Sequence, residues 1–198
     1  MLSTRLKQHL LAFREDRKGV ALVEFAVALP VMLVAYLGTV DVTQMVMASR
    51  KVTQLTSALA DLTARAQIVA PADVNNIFDA AQMILAPFSS TPAKMVISNV
   101  VIDSTGTARV CWSSQRNSAA LARGTTVTLP TALRVPNTSV IMARASYDYT
   151  PITGYVITGA VTLGNDPIYT RPRGAQAAGS ASIEQVIRTD ANPCPSFS

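Results

Sequence analysis

A glutamate lies inside the most apolar stretch of the chain. The basic residues Arg17 and Lys18 and then Gly19 precede an apolar run, and Glu24 stands five places into that run. An ionisable side chain within a bilayer's hydrocarbon is unfavourable, by about 2.5–3.5 kcal/mol for Asp on the insertion scale, so it marks a candidate functional residue. The alternative is a glutamate that extends its carboxylate to the nearby interface.

The rest of the chain has no recognisable catalytic set. The only histidine, His9, precedes the apolar run, so a Ser–His or Cys–His pair beyond the run is excluded. No His/Cys spacing is typical of zinc, and the scattered acids form no paired-carboxylate motif. We therefore predict that the protein is not an enzyme, and that it uses no cofactor, metal or small-molecule substrate.

Residues 20–40 are long enough to cross a membrane. Every position is apolar or small except Glu24 and Thr39. At about 1.5 Å per residue the run extends roughly 31 Å, which matches a hydrocarbon core and exceeds the apolar region of a secretory signal. We predict a transmembrane helix here, with residues 41–198 beyond it.

The net charge of +5 comes mostly from residues 1–19, which carry five basic and two acidic side chains. Basic residues immediately before a span favour retention of that side in the cytoplasm. Residues 1–19 are therefore predicted to be a basic cytoplasmic leader. No basic run interleaved with aromatic residues follows, so we predict no nucleic-acid binding.

Cys111 and Cys194 are the only cysteines, and both follow the apolar run. In an oxidising compartment a pair is the minimum set for one disulfide. Such a bridge would close a loop of about 83 residues and contribute roughly 4 kcal/mol in the chain-entropy model. The alternative is two buried free thiols.

An apolar stripe continues beyond the span. Apolar residues recur every three or four positions from Val42 to Val69, which predicts an amphipathic extension over residues 41–70 that Pro71 ends. The stripe could cover the protein's own sheet or pack against other subunits. A second helix is predicted from Asp73 to Leu85, with Asp73 as its N-cap.

Residues 71–198 are predicted to form an α+β domain. The clearest strands are a hairpin over residues 96–102 and 107–113 around a turn. Further strands are predicted over residues 125–129, 139–149, 155–163 and 168–171, followed by a loop-rich tail with structure only around 183–187. The fold class is α+β, with a long N-terminal transmembrane helix continuing into an amphipathic helix packed on an antiparallel sheet.

The junction at residues 17–25 resembles the cleavage site of class III, prepilin-type signal peptides. The resemblance implies that a membrane aspartyl protease cuts between Gly19 and Val20, and an acid at mature position five, here Glu24, is typical of pilins and pseudopilins. The cut would leave a protonated amine on Val20, which is the nearest cation for a buried carboxylate on the same or a neighbouring subunit. The helix would stay attached, so processing would convert an anchor into an assembly element.

The run from Glu24 and Phe25 to Pro30 reads Glu-Phe-Ala-Val-Ala-Leu-Pro and is similar to the TadE/TadG-like family of tight-adherence (type IVb, Flp) pilus proteins. Residues 144–151, with two alternating tyrosines and a proline, are similar to a strand of that family. At this length the chain resembles TadE rather than the larger TadG. The resemblance implies a pilin-like fold and a minor pseudopilin or assembly component, with assembly or recognition through Lys18, Glu24, Phe25 and Pro30.

The resemblance also implies partners and a location. A TadV-like prepilin peptidase, the inner membrane, and other tight-adherence pilus proteins and pseudopilins would be the partners. The protein would lie in a bacterial inner membrane as a single-pass protein, with a cytoplasmic N-terminus and a periplasmic C-terminal domain, and could enter the pilus. One alternative is an uncut bitopic protein with a periplasmic binding or assembly domain; another is ordinary secretion, which lacks a convincing small-x-small cleavage site after Leu37.

Overall fold

One long helix opens the part of the chain that the structure describes. The computed structural model describes residues 18–155 and 157–195, so residues 1–17 of the predicted leader lie outside the described residues. Helix α1 (Lys18–Arg65) contains Pro30, which removes one backbone hydrogen bond without ending the helix. The predicted span and its amphipathic extension therefore form one continuous helix.

Helix α1 ends before the predicted Ala70. The Ala64 carbonyl accepts hydrogen bonds from the backbone N–H groups of Arg173, at 2.6 Å, and Gly174, at 3.1 Å. These donors take the place of the helical N–H four residues further on. The next residues form a short strand, β1 (Ile68–Val69). Contacts from a distant segment thus stop the helix where its apolar stripe would continue.

The second helix, α2 (Pro71–Gln82), also differs from its prediction. Pro71 begins this helix rather than ending α1, because a proline at the first helical position lacks only an N–H that would have no helical acceptor. Asp73 is the third helical residue and not the N-cap. Its carboxylate accepts the Ala70 backbone N–H at 2.9 Å. A 3₁₀ turn (Met83–Leu85) follows.

Five strands form an antiparallel sheet. They are β2 (Ala93–Ile102), β3 (Ala108–Arg116), β4 (Thr138–Tyr149), β5 (Val161–Gly164) and β6 (Ile168–Thr170). Strand β2 lies between β3 and β4, while β5 and β6 pair with different parts of β4. The predicted hairpin is confirmed as β2 and β3. The α+β fold class with an antiparallel sheet is likewise confirmed.

The predicted strand over residues 125–129 is wrong. Thr126 makes only an isolated bridge to Arg109, although the neighbouring backbone follows the edge of β3. The chain then turns onto a face of the sheet, where Leu129 is buried. A segment that leaves the edge to cover the face cannot continue the ladder of hydrogen bonds.

The C-terminal stretch contains three strands where mostly loop was predicted. Strands β7 (Gln176–Ala178) and β8 (Ile183–Gln185) form an antiparallel pair, and β9 (Ile187–Arg188) pairs with β1 in parallel. Structure was expected only around residues 183–187, where β8 and the start of β9 lie; β7 and the pairing of β9 with β1 were not predicted. These strands are short and take their positions from the neighbours on which they pack.

The chain divides into two compact units. One comprises the residues up to Gln44 together with Pro151–Gly159, and the other comprises Met45–Thr150 together with the residues from Ala160 onward. In the second unit, apolar side chains of α1 and α2 pack on one face of the sheet; the α1 members are Ala48, Val52, Leu55, Leu59, Ala60 and Ala64. The interpretation that the stripe covers the protein's own sheet is therefore confirmed for these residues.

Two members of the predicted stripe, Val42 and Leu62, are exposed instead. A seven-residue repeat drifts around a straight helix by about 20° per repeat, so its outermost members leave the buried face. The opposite face of the sheet forms a second apolar cluster of Val100, Ile102, Ala108, Val110, Leu129, Val140 and Met142.

The turn between β2 and β3 depends on Asp103. Its Oδ1 atom accepts hydrogen bonds from the Thr105 hydroxyl at 2.6 Å and from the backbone N–H groups of Thr105 and Thr107, each at 2.9 Å. The Thr105 hydroxyl is the main reason that the pKa of Asp103 lies below its usual range. The folded state therefore favours the ionised carboxylate, and this stabilisation is lost as the pH falls through the folded-state pKa.

We expect Asp103→Asn to lower the free energy of unfolding at pH 7 by up to about 1 kcal/mol, because the amide oxygen still accepts but carries no charge. The difference from the unsubstituted protein should shrink as the pH falls below the usual range of an aspartate. Urea unfolding at pH 7 and at about pH 2.5 measures it. A difference that grows on acidification would contradict this role.

Candidate functional site: the N-terminal half of helix α1

Gly19 is a helical residue that the fold does not require to be glycine. A Cβ atom added there would have no heavy atom within 4 Å beyond its own helical surroundings, and its φ is not in the left-handed region. Glycine in a helix is about 1 kcal/mol less favourable than alanine. Among the described residues, neither space nor backbone conformation therefore requires a glycine at this position.

Glu24 lies one turn beyond Val20 on the same face of α1, since residues four apart in a helix are neighbours. Its side chain is exposed, and no hydrogen bond or ion pair joins it to another described residue. It lies on an exposed apolar face of α1 formed by Val23, Val27, Ala28, Val31 and Met32. A carboxylate on such an apolar surface is stabilised by a nearby cation, and none of the described residues supplies one.

The apolar side chains of this half of α1 are exposed on every side. Phe25 is 61% exposed, Val27 69% and Met32 64%. In water such a surface would be strongly unfavourable, at about 25 cal/mol per Å² of apolar area. Helix α1 is long and apolar enough to cross a membrane, which fits a single-pass membrane protein.

The remaining predicted residues of the junction also lie on α1. Lys18 is its first residue, although its side chain lies outside the described residues. Pro30 stands near the middle of the apolar run. The helix therefore brings Val20 and Glu24 onto one face and places Phe25 about 100° around the axis from Glu24.

The predicted disulfide is present. Cys111 on β3 and Cys194 near the C-terminus are joined, with their Cα atoms 5.8 Å apart and 83 residues apart in sequence. The bridge fastens the C-terminal stretch to the sheet. It is far along the chain from residues 18–30, so it supports the domain and not the junction.

Polar contacts that sequence reasoning missed surround this bridge. Gln185 is 1% exposed; its amide donates to the Cys194 carbonyl at 2.8 Å and accepts from the Cys194 N–H at 3.1 Å. The Trp112 indole N–H donates to the Val186 carbonyl at 2.7 Å. The only signal in the sequence is the small group of apolar residues over 183–187, which does not identify these partners.

The two tyrosines of β4 are packing residues. Tyr147 and Tyr149 both lie in the apolar cluster between the sheet and the helices, and the ring of Tyr149 packs edge-on against Phe88 at 6.2 Å. Burial raises the pKa of Tyr147, so it stays neutral near pH 7. Both tyrosine side chains are buried and do not face solvent.

Asp41, the first residue after the apolar run, makes a specific contact with a distant residue. Its side chain is fully buried, and both carboxylate oxygens accept hydrogen bonds from Thr153, one from the backbone N–H at 3.1 Å and one from the hydroxyl. The two residues are 112 positions apart, and no local pattern pairs them.

Comparison with known proteins agrees with the resemblance at the junction. Residues 19–61 match the family described as TadE-like protein, a match that falls entirely on α1 and covers less than a quarter of the chain. No curated protein and no solved structure matches the chain. The similarity of residues 144–151 lies outside the matched range and stays a prediction. Over residues 19–61 this chain is similar to the TadE-like proteins, which suggests a membrane protein associated with the tight-adherence pilus.

Proposed function

We propose that this protein is a pseudopilin-like component of tight-adherence pilus biogenesis whose leader is removed by a prepilin peptidase between Gly19 and Val20. The observation that carries the proposal is that two features occur together on the exposed apolar part of α1. Gly19 has no structural need to be glycine, and Glu24, one turn beyond the cut, has no partner among the described residues. The family match over residues 19–61 supports it.

Cleavage would supply the cation that Glu24 lacks. Hydrolysis of the Gly19–Val20 peptide bond consumes one water and leaves a carboxylate on Gly19 and a protonated amine on Val20. The amine and Glu24 are separated by about 6 Å along the axis. In a low dielectric a carboxylate is strongly favoured by a paired cation, so the amine of the same or a neighbouring copy would pair with it and bias the register of packed helices.

The two halves of α1 would then have separate roles. Residues 48–64 already bury their apolar face against the sheet of their own domain. The apolar side chains of residues 20–36 are exposed and therefore free for lipid or for the helices of other pilus proteins. Assembly contacts are accordingly proposed for the first half, with the apolar face around Glu24 at their centre.

The proposed location is a bacterial inner membrane, with the leader in the cytoplasm and the C-terminal domain in the periplasm. The basic leader supports this orientation. The disulfide supports it independently, because such bridges persist in oxidising compartments such as the periplasm. No catalytic role is proposed.

The test is the N-terminal sequence and intact mass of the protein purified from its own membranes, in hosts with and without their prepilin peptidase. A mature chain that begins at Val20 only when the peptidase is present is the expected result. A full-length chain in both hosts would exclude processing.

That second outcome would favour the alternative, an uncut bitopic protein with a periplasmic binding or assembly domain. One observation favours it: a groove of about 320 Å³ lies between α2 and β3, lined by residues that include Phe78, Ser113 and Arg188. Arg188 donates to the Ser113 carbonyl at 3.0 Å, which gives the groove an ordered polar wall.

We expect Glu24→Gln to leave cleavage intact and to reduce association with other pilus subunits about tenfold or more. A hydrogen bond to a charged group contributes about 1.5–3 kcal/mol, and 1.4 kcal/mol corresponds to a factor of ten. The measurement is the fraction of processed protein that co-isolates with pilus subunits after cross-linking in membranes. Asp61→Asn, the same change at a residue that pairs with Arg65 outside the apolar run, is the control. Unchanged association of the Glu24 variant would contradict the proposed pairing.

A further inference from the structure

The segment Pro151–Gly159 belongs to the same compact unit as the apolar part of α1. Its nine residues read Pro-Ile-Thr-Gly-Tyr-Val-Ile-Thr-Gly and include no charged side chain. Gly154 and Gly159 have φ angles of +64° and +87°, which only glycine adopts without strain, so the segment turns tightly at both places. The segment is therefore an uncharged loop with two tight turns.

The segment is held to α1 by Asp41. The buried carboxylate accepts two hydrogen bonds from Thr153, through its backbone N–H and its hydroxyl. No described basic side chain lies within salt-bridge distance of Asp41, so Thr153 is the partner that compensates its burial. A buried carboxylate that loses such donors is strongly destabilised, and the contact therefore holds Thr153 beside the helix.

The position of Asp41 places this contact at the edge of a bilayer. Asp41 directly follows the apolar run of residues 20–40, whose length of roughly 31 Å matches the hydrocarbon thickness. When that run fills the hydrocarbon, Asp41 and Thr153 stand where the acyl chains meet the headgroups.

Two large apolar side chains flank the contact and are exposed. Ile152 is 72% exposed and Tyr155 is 78% exposed. They lie one residue before and two residues after Thr153, within about 7 Å of it along the chain. Tyrosine is enriched at membrane interfaces, because its ring is apolar and its hydroxyl can stay in water. Lipid is therefore the surface that these side chains fit.

We propose that Pro151–Gly159 is a membrane-interface anchor that rests on the lipid at the outer end of the span, with Ile152 and Tyr155 inserted at the level of the upper acyl chains and Asp41 holding it in place. The anchor depends on α1 spanning the membrane and not on leader cleavage. It limits how far the helix can slide or rotate in the bilayer, since the segment would have to leave the lipid or lose its contact with Asp41.

The test uses the full-length protein in phosphatidylcholine vesicles, with and without lipids brominated near the top of the acyl chains. Bromine quenches tryptophan fluorescence on contact. A Tyr155→Trp variant is expected to lose about half or more of the emission of its introduced tryptophan. Trp112, the only native tryptophan, is 4% exposed, and its contribution is measured in the unsubstituted protein. A Tyr36→Trp variant, at a 66% exposed position inside the span, reports insertion of the helix.

Quenching at position 36 without quenching at position 155 would overturn the anchor. A blue-shifted but unquenched emission at position 155 would assign the segment to a protein surface such as a second copy, which also overturns it. Absence of quenching at position 36 would overturn the span and the anchor together. Each variant is used only after its disulfide is shown to form, by comparing electrophoretic mobility with and without reductant.

The role of Asp41 is tested by adding Asp41→Ala to the Tyr155→Trp variant. Release of Thr153 is expected to reduce the quenching by at least half. Asp61→Ala, the same change at a partly exposed aspartate further along α1, should leave it unchanged. Equal quenching with and without Asp41 would overturn its assignment as the residue that holds the segment.

Discussion

Replacing Cys111 and Cys194 together with alanine is expected to lower the free energy of unfolding by about 4 kcal/mol. The disulfide spans 83 positions, and a cross-link of that length removes much of the conformational entropy of the unfolded chain. The loss is a large fraction of the stability of an ordinary domain. It should be most evident in the C-terminal stretch, which the bridge fastens to β3.

Trp112 reports this loss directly. It is the only tryptophan, it is buried, and its indole donates to the Val186 carbonyl in the fastened stretch. Urea unfolding of the full-length protein in detergent, followed by its fluorescence, should show a midpoint lower by about 2 M, for a slope of about 2 kcal/mol per molar.

The unsubstituted protein unfolded with a reductant present is the matched control, because it loses the bridge and keeps both cysteines. It should unfold at the same urea concentration as the double variant. If the urea midpoints of the double variant and of the reduced protein both lie within about 0.3 M of the midpoint of the oxidised protein, the bridge does not stabilise the fold.

Replacing Gly19 with arginine is expected to reduce removal of the leader by about 100-fold or more, which corresponds to roughly 2.7 kcal/mol in the transition state. A peptidase that accepts glycine beside the scissile bond leaves little room for a long side chain. The fold itself would tolerate the change, because a Cβ at Gly19 meets nothing within 4 Å. Intact mass of the membrane-purified protein measures the cleaved fraction over time.

The control compares the same small change at two helical glycines. Gly19→Ala should slow cleavage, whereas Gly38→Ala, further along α1, should not. Both changes raise helix propensity by a similar amount. Equal cleavage of both variants and of Gly19→Arg would show that the side chain at position 19 does not affect cleavage, and would contradict this prediction.

The candidate site was predictable because its parts are close together in the sequence. Gly19, Val20 and Glu24 lie within two turns of one helix, so their spacing alone places them relative to one another. The β2–β3 hairpin was predictable for the same reason, because alternating β-branched residues flank an aspartate that organises its own turn. Sequence patterns over a few residues thus predict contacts between residues that are close together in the sequence.

The tertiary structure decided what depends on distant segments. Helix α1 stops where Arg173 and Gly174 donate to the Ala64 carbonyl, more than 100 residues away, although its apolar pattern continues. The last strands form because Gln185 and Val186 find partners in Cys194 and Trp112.

The contact between Asp41 and Thr153 is of the same kind. A polar pair that is far apart in sequence leaves no periodic signal, because a hydrogen bond requires only one donor and one acceptor brought together by the fold. The sequence by itself therefore determined the membrane helix, the spacing of Gly19 and Glu24 along it, and the cysteine pair. The end of that helix, the docked C-terminus and the segment beside Asp41 were decided by packing.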